Sequence, residues 1–259
     1  GAAFYDAERH SDSMPHAPVA KKTSTGWQLS GNIEYVINGG KSGFYCVLCA
    51  SGGDQSHLNM VMIKDALDGV GFDGAYDKLG LRMTPTARMT LDNVAISPED
   101  LIGKENQGEK QAKSVLAESW VLIAALALGT AQGALNRSLD YVKQREQFGK
   151  KIAHFQVTQH KLAEMASQIE QIRFLSYAAA KSFDSRKPNV KLAAMAKLGA
   201  TRTAVAVASE SVQLLGGYGY MTEYDVERFY RDAKTQELIG GNAVYLKNVI
   251  AKDVIGRIR

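Results

Sequence analysis

The sequence predicts an α+β fold: an N-terminal antiparallel β-barrel or sandwich domain followed by a C-terminal four-helix bundle. Three observations predict it. Pro15, Pro18, Pro85 and Pro98 all fall early in the chain and only Pro188 falls late; proline breaks helices and central strands, so long helices are open only to the later part. The early part alternates β-branched and aromatic runs with Gly/Asn clusters, the pattern of short strands and turns. In the later part Leu162, Met165, Ala166, Ile169, Ile172 and Leu175 recur at spacings of three and four, the period of an amphipathic helix. The domains are placed at 1–105 and 106–259.

Each element has its own signal. Trp27-Gln28-Leu29-Ser30 reads as a strand closed by the turn pair Gly31-Asn32, and 33–37 as the next, ending at Asn38-Gly39-Gly40. Phe44 through Cys49 is a third strand, bounded by Ser51-Gly52-Gly53-Asp54; 58–63 is a fourth, ending near Asp68-Gly69. Residues 83–91 and 94–96 complete the β part. Helices are expected near 108–143, 155–184, 189–215 and 242–257. Pro188 and the polar loop 184–187 separate the second helix from the third, and Gly216-Gly217-Tyr218-Gly219 stops the third. Gly129, Ala131, Gly133 and Ala134 allow close helix approach, making the later part a bundle.

Composition narrows the classes. With 259 residues, 45% apolar and 22% charged, the chain is long enough for a sizeable core and too apolar to be disordered. A net charge of +4 is a mild excess, and no aromatic stripe interleaves the basic residues, so nucleic acid is not an expected partner. No charge-free apolar run reaches about 18 residues, so no transmembrane segment is expected; the longest run, 121–129, reads as a helix buried on several sides. Cys46 and Cys49 spell C-x-x-C within a strand, where residues three apart face opposite sides, which opposes a zinc or redox pair. His154 and His160 lack partners at metal spacing, and no metal is expected.

Two later segments carry a family resemblance. Arg145-Glu146-Gln147-Phe148-Gly149-Lys150-Lys151-Ile152 with Phe155-Gln156, and Gln213-Leu214-Leu215-Gly216-Gly217-Tyr218-Gly219-Tyr220 running into Arg231-Asp232-Ala233-Lys234, closely resemble motifs of the acyl-CoA dehydrogenase flavoproteins. Leu79-Gly80-Leu81-Arg82, Val94 and Leu101-Ile102-Gly103 resemble that family's middle β domain, and 31–40 its flavin-facing strand and turn. The resemblance implies FAD as cofactor, an acyl-CoA substrate, a homo- or hetero-oligomer, and a cytoplasmic or mitochondrial-matrix setting. It places Arg145 at the FAD pyrophosphate, which suits a forked guanidinium. Phe148 then packs near adenine, with Gln147 and Gln156 as hydrogen-bonding partners. Gln213, Gly216 and Gly217 reach the adenosine end of FAD in a neighbouring subunit, and Asn242 takes the place of a flavin-contacting Thr. Alone, Arg145 would read as a surface ion pair and the glycine run as a helix stop; in order and at matching separation they read as a cofactor site.

Four departures bear on activity. Nothing in the sequence corresponds to the family's N-terminal helical domain, so that domain is expected to be removed or supplied by another chain. The motif that opens the middle domain survives as 7–12, with Ser11 and Asp12 matching and His10 in place of glycine. In Tyr35-Val36-Ile37 an apolar Ile37 replaces a hydroxyl that faces flavin. The catalytic Glu expected after the Arg-Asp-Ala-Lys motif is Gly240. Some branches place the base on the first bundle helix instead, which makes Glu118 the candidate catalytic base; it stands one residue early, about 100° of helix rotation, and Ser119-Trp120 fill the expected pair. Glu237 is a weaker carboxylate candidate. The expected function is FAD-dependent α,β-dehydrogenation of an acyl-CoA thioester, with poor activity expected of this chain alone. The alternatives are an inactive member acting as a structural or assembly subunit, and a flavin-dependent monooxygenase on the same fold.

Overall fold

The structure, a computed structural model, describes residues 2–3, 17–52 and 54–256. The motif at 7–12 lies outside the described residues. The chain divides into two compact units: 1–78 with 82–115, and 79–81 with 116–259.

The first unit is a sheet of seven strands: β1 (Ala2–Ala3), β2 (Val19–Lys22), β3 (Trp27–Ile37), β4 (Phe44–Ser51), β5 (Asp54–Lys64), β6 (Val70–Phe72) and β7 (Thr86–Ile96). Their order is β1-β4-β2-β3-β7-β6, with β5 on the outer side of β4. The β2–β3, β3–β7, β6–β7 and β4–β5 pairs are antiparallel, and β2–β4 is parallel. Leu29, Ile33, Val36, Tyr45, Val47, Val61, Ile63, Met89, Leu91 and Val94 form the core. Alternation along β3 leaves Tyr35 and Ile37 exposed on either side of the buried Val36.

The turn expected at Gly31-Asn32 is not a turn. β3 runs straight through it in register with β7, with a bulge between Leu29 and Gly31. Gly31 is needed there for a different reason: its φ is +142°, and a Cβ would lie 2.9 Å from Pro18 Cα. Strands β2 and β6, too short to show periodicity, carried no signal of their own. Cys49 is buried with its thiol pushed up to about 12 by desolvation, whereas Cys46 is half-buried; both thiols are free.

The second unit contains α1 (Gly108–Gln144, beginning in the first unit), α2 (Gln156–Asp184), α3 (Val190–Leu215), α4 (Val226–Gln236) and α5 (Ala243–Ile255). Asn189 caps α3 by accepting from Leu192 N, and Gly216 ends it at φ +60°. The core joining α1, α2, α3 and α4 is dominated by alanine, with Ala124, Ala127, Ala131 and Ala134 from α1 and Ala196, Ala200, Ala204 and Ala208 from α3. Met165, Ile169 and Ile172 of α2 fill the remaining volume.

Three expectations are amended. The bundle's four long helices leave out α4, which buries Val226, Ala233 and Gln236 while its polar face carries Arg231 and Lys234. The run at 121–129 is not buried all round, because Leu122 is 72% exposed and Leu126 is 46% exposed. By length and composition α1 also meets the requirement for crossing a membrane, contrary to the hydropathy reading. Here its alanine face is packed against α2 and α3, as in the core helix of a helical unit.

Candidate functional site

Behind α1 the chain makes the smallest possible hairpin. β8 (Glu146–Gln147) pairs with β9 (Lys150–Lys151) across a two-residue turn at Phe148-Gly149, with φ of +54° and +79°. Positive φ at both central positions matches the strand twist of a tight hairpin. It suits Gly149 and strains a bulky residue such as Phe148. The Phe148 ring is 92% exposed and stands edge-on to Phe155 at 6.3 Å.

The other wall comes from the end of α3. After Gly216 the chain turns tightly through 216–220, and Gly219 is required because a Cβ would lie 2.3 Å from Val212 O. Gly217 has open space beside it. The segment is fixed at its far end by Asp225, which accepts from Arg137 Nε at 3.1 Å and Nη2 at 3.2 Å. Between the walls lies a cleft of about 480 Å³ lined by Tyr141, Arg145, Gln147, Gln213, Gly216, Gly217 and Tyr218, among others. A second hollow of about 410 Å³ shares Gln147 and Gln213 and is lined by Phe148, Phe155, Val157, Thr158 and Lys161.

The electrostatics of the cleft are one-sided. Neither hollow has a carboxylate in its lining. The half-buried Arg145 guanidinium lies over the Tyr218 ring, 5.5 Å from its centroid, and pairs with no carboxylate among the described residues. Tyr141, Tyr218 and Tyr224 pack against one another, with Tyr141 edge-on to both. Burial raises the Tyr141 hydroxyl above its ordinary range, and Arg145 opposes that rise. Lys161 forms an ion pair with Glu210.

The structure therefore gathers Arg145, Gln147, Phe148, Gln213, Gly216 and Gly217. Two other expected cofactor residues are not among those that line the hollows. Gln156 is exposed at the first position of α2. Asn242 spends its side-chain oxygen capping α5, accepting from Val244 N at 2.8 Å and Tyr245 N at 3.1 Å. The sequence reading missed Tyr141, Tyr218 and Lys161 as lining residues. The i, i+4 spacing of Tyr141 and Arg145 was the available signal.

The candidate base positions come together elsewhere in the same unit. A Cβ on Gly240 would lie 2.7 Å from Ile123 Cδ1, 3.5 Å from Ser119 Oγ and 3.8 Å from Trp120 Cδ1. Positions 119 and 240 thus face one another, and glycine is favoured at 240, where φ is +67°. Glu118 is exposed, and the α1 residues nearest Gly240 are Ser119, Trp120 and Ile123. Glu237 is held by Lys234 at 2.6 Å.

Comparison with known proteins agrees with this arrangement. The acyl-CoA dehydrogenase C-terminal domain family matches residues 106–255. The chain belongs to the acyl-CoA dehydrogenase family. It is 34% identical over 245 residues to benzylmalonyl-CoA dehydrogenase of Aromatoleum aromaticum, covering 94% of this chain and 65% of that protein. It is 37% identical over 238 residues to the probable acyl-CoA dehydrogenase YngJ of Bacillus subtilis, covering 88% and 63%. The chain thus spans somewhat less than two thirds of the length of these curated relatives. Butyryl-CoA dehydrogenase from Megasphaera elsdenii superposes with a TM-score of 0.92 at 32% identity, over 98% of this chain and 68% of that one. Acyl-CoA dehydrogenase family members have this order, a β-sheet domain followed by a helical domain, and they are FAD-dependent.

Proposed function

We propose that this chain is the β and helical part of an FAD-dependent acyl-CoA dehydrogenase-like flavoprotein acting on an acyl-CoA thioester. The observation that carries the reading is the acid-free cleft in which Arg145, Gln147, Gln213 and the open Gly217 converge. A guanidinium without a carboxylate partner, carboxamides on both walls and an adjoining aromatic hollow fit a dinucleotide: anionic at the pyrophosphate, flat and apolar at the base. Arg145 holds the pyrophosphate; Gln147 and Gln213 hydrogen-bond the nucleotide; Phe148 covers its base. Bound FAD supplies the acceptor for the hydride that leaves the β-carbon of the acyl chain.

The chain's own residues must take the α-proton. A general base must stand within hydrogen-bond reach of its proton. Glu118 is the carboxylate nearest the position that a base on α1 would occupy, and its exposure on the neighbouring face makes turnover by this chain poor. A second reading, a structural or assembly subunit of the same family, is favoured by Gly240, which carries no carboxylate, and by Ser119 opposite it.

The visible absorbance of the purified chain tests the first reading: flavin bands at near one FAD per chain support it, and their absence after incubation with FAD overturns it. Enoyl-CoA formation with a dye acceptor then separates dehydrogenase from subunit.

A further inference from the structure

Two buried donors from different helices converge on one turn. Trp120 of α1, 1% exposed, donates its Nε1–H to the Gly240 carbonyl oxygen at 2.6 Å. Lys197 of α3, fully buried, donates from Nζ to the Gly241 carbonyl oxygen. The carbonyls of successive peptides are thus drawn inward from two sides. The surroundings of Trp120 are apolar, with Ala117, Ala193, Ala194 and Leu246 in one cluster and Tyr245 edge-on to the indole at 6.0 Å.

Packing alone does not account for a lysine here. Burying an ammonium is strongly unfavourable unless it is hydrogen-bonded, and an apolar side chain of similar length would fill the space without that penalty. What the lysine adds is direction. Its bond, with that of Trp120, holds Gly240 at φ +67° and Gly241 at φ +100°, conformations that free glycines exchange readily. Asn242 follows immediately, with its side chain committed to the α5 cap.

We propose that Lys197, together with Trp120, is a positioning residue that locks the turn at 240–242 in a single conformation.

Hydrogen exchange on the full chain, read peptide by peptide, tests the lock. Lys197→Met and Trp120→Phe each keep an apolar side chain and remove one donor. Each is expected to lower protection of amides in 239–246 by about tenfold or more, while the peptides carrying Met165, Ile169 and Ile172 keep theirs. Unchanged exchange at 239–246 in folded Lys197→Met overturns the proposal. So does an equal loss across the whole helical unit, which would mark a general packing role. Should Lys197→Met not fold, Lys197→Ala prepared in ethylamine serves instead: protection should fall when the amine is removed and return when it is restored, and indifference to the amine overturns the proposal.

Discussion

The Arg145 guanidinium lies face-on to the Tyr218 ring, and the pair joins the end of α1 to the tight turn after α3. This contact orients the cation without neutralising it, so its charge is available to an anion in the cleft. Replacing a phosphate-paired guanidinium should weaken binding by about 2–5 kcal/mol, by analogy with breaking a buried charge pair. Arg145→Ala is therefore expected to lose most of its FAD on gel filtration, while Arg145→Lys keeps more. Full retention by Arg145→Ala would remove the cleft as the cofactor site.

Gly240 should resist substitution. Alanine there needs a positive φ and meets Ile123 Cδ1 at 2.7 Å. Gly240→Ala is expected to lower stability by about 1–3 kcal/mol in urea unfolding. Combining it with Ile123→Ala should make the pair less destabilising than the sum of the single changes. Simple additivity would show that the contact is not the cause.

Activity is expected to be low. A positioned acid–base group is worth about 10²–10⁴-fold in rate, and no carboxylate faces Gly240. Short, long and branched acyl-CoA substrates assayed with a dye acceptor should give little or no enoyl-CoA. Robust turnover that disappears in Glu118→Gln would instead establish Glu118 as the base.

The two cysteines should differ in reactivity. The Cys49 thiol is pushed up to about 12 by burial, so at pH 8 it is almost wholly protonated, and the thiolate is the nucleophile. A thiol reagent at pH 8 should modify half-buried Cys46 first and leave Cys49 until the protein unfolds. The same shift sets a sign for stability. The unfolded thiol ionises near 9 while the folded one keeps its proton to about 12, so the folded chain binds more protons in that window. Its contribution to stability is present below pH 9 and is lost as pH rises toward 12, which a Cys49→Ala comparison across that range would reveal.

Leu122 and Leu126 stand one turn apart on the exposed side of α1. We expect them to drive association of the helical unit. Leu122→Asp with Leu126→Asp should shift light scattering at micromolar concentration to a smaller species; a monomeric wild-type chain with no co-purifying partner would remove the premise.

Much of this was legible in the sequence, for physical reasons. The long helices announced themselves because their apolar residues recur at three and four, and proline is almost absent from them. The grouping of Arg145, Gln147, Phe148 and the 213–217 segment around two hollows was legible because the two stretches that hold them resemble motifs of one family. α4 was not read because its apolar positions are few and it buries chiefly Val226 and Ala233. The bulge at Gly31 was read as a turn because glycine followed by asparagine signals both, and only the approach of Pro18 decides between them. The facing of Ser119 and Gly240 joins residues far apart in the chain, and no local pattern encodes it.

The alanine-rich core shared by α1, α2, α3 and α4 bears on how this protein can change over generations. Ala124, Ala127, Ala131, Ala196, Ala200 and Ala204 are fully buried in it, so a larger side chain at any of them forces its neighbours to shift. Divergence is channelled instead to positions such as Phe174 and Tyr177, where side chains stand in solvent and a change can be accommodated without moving the helices.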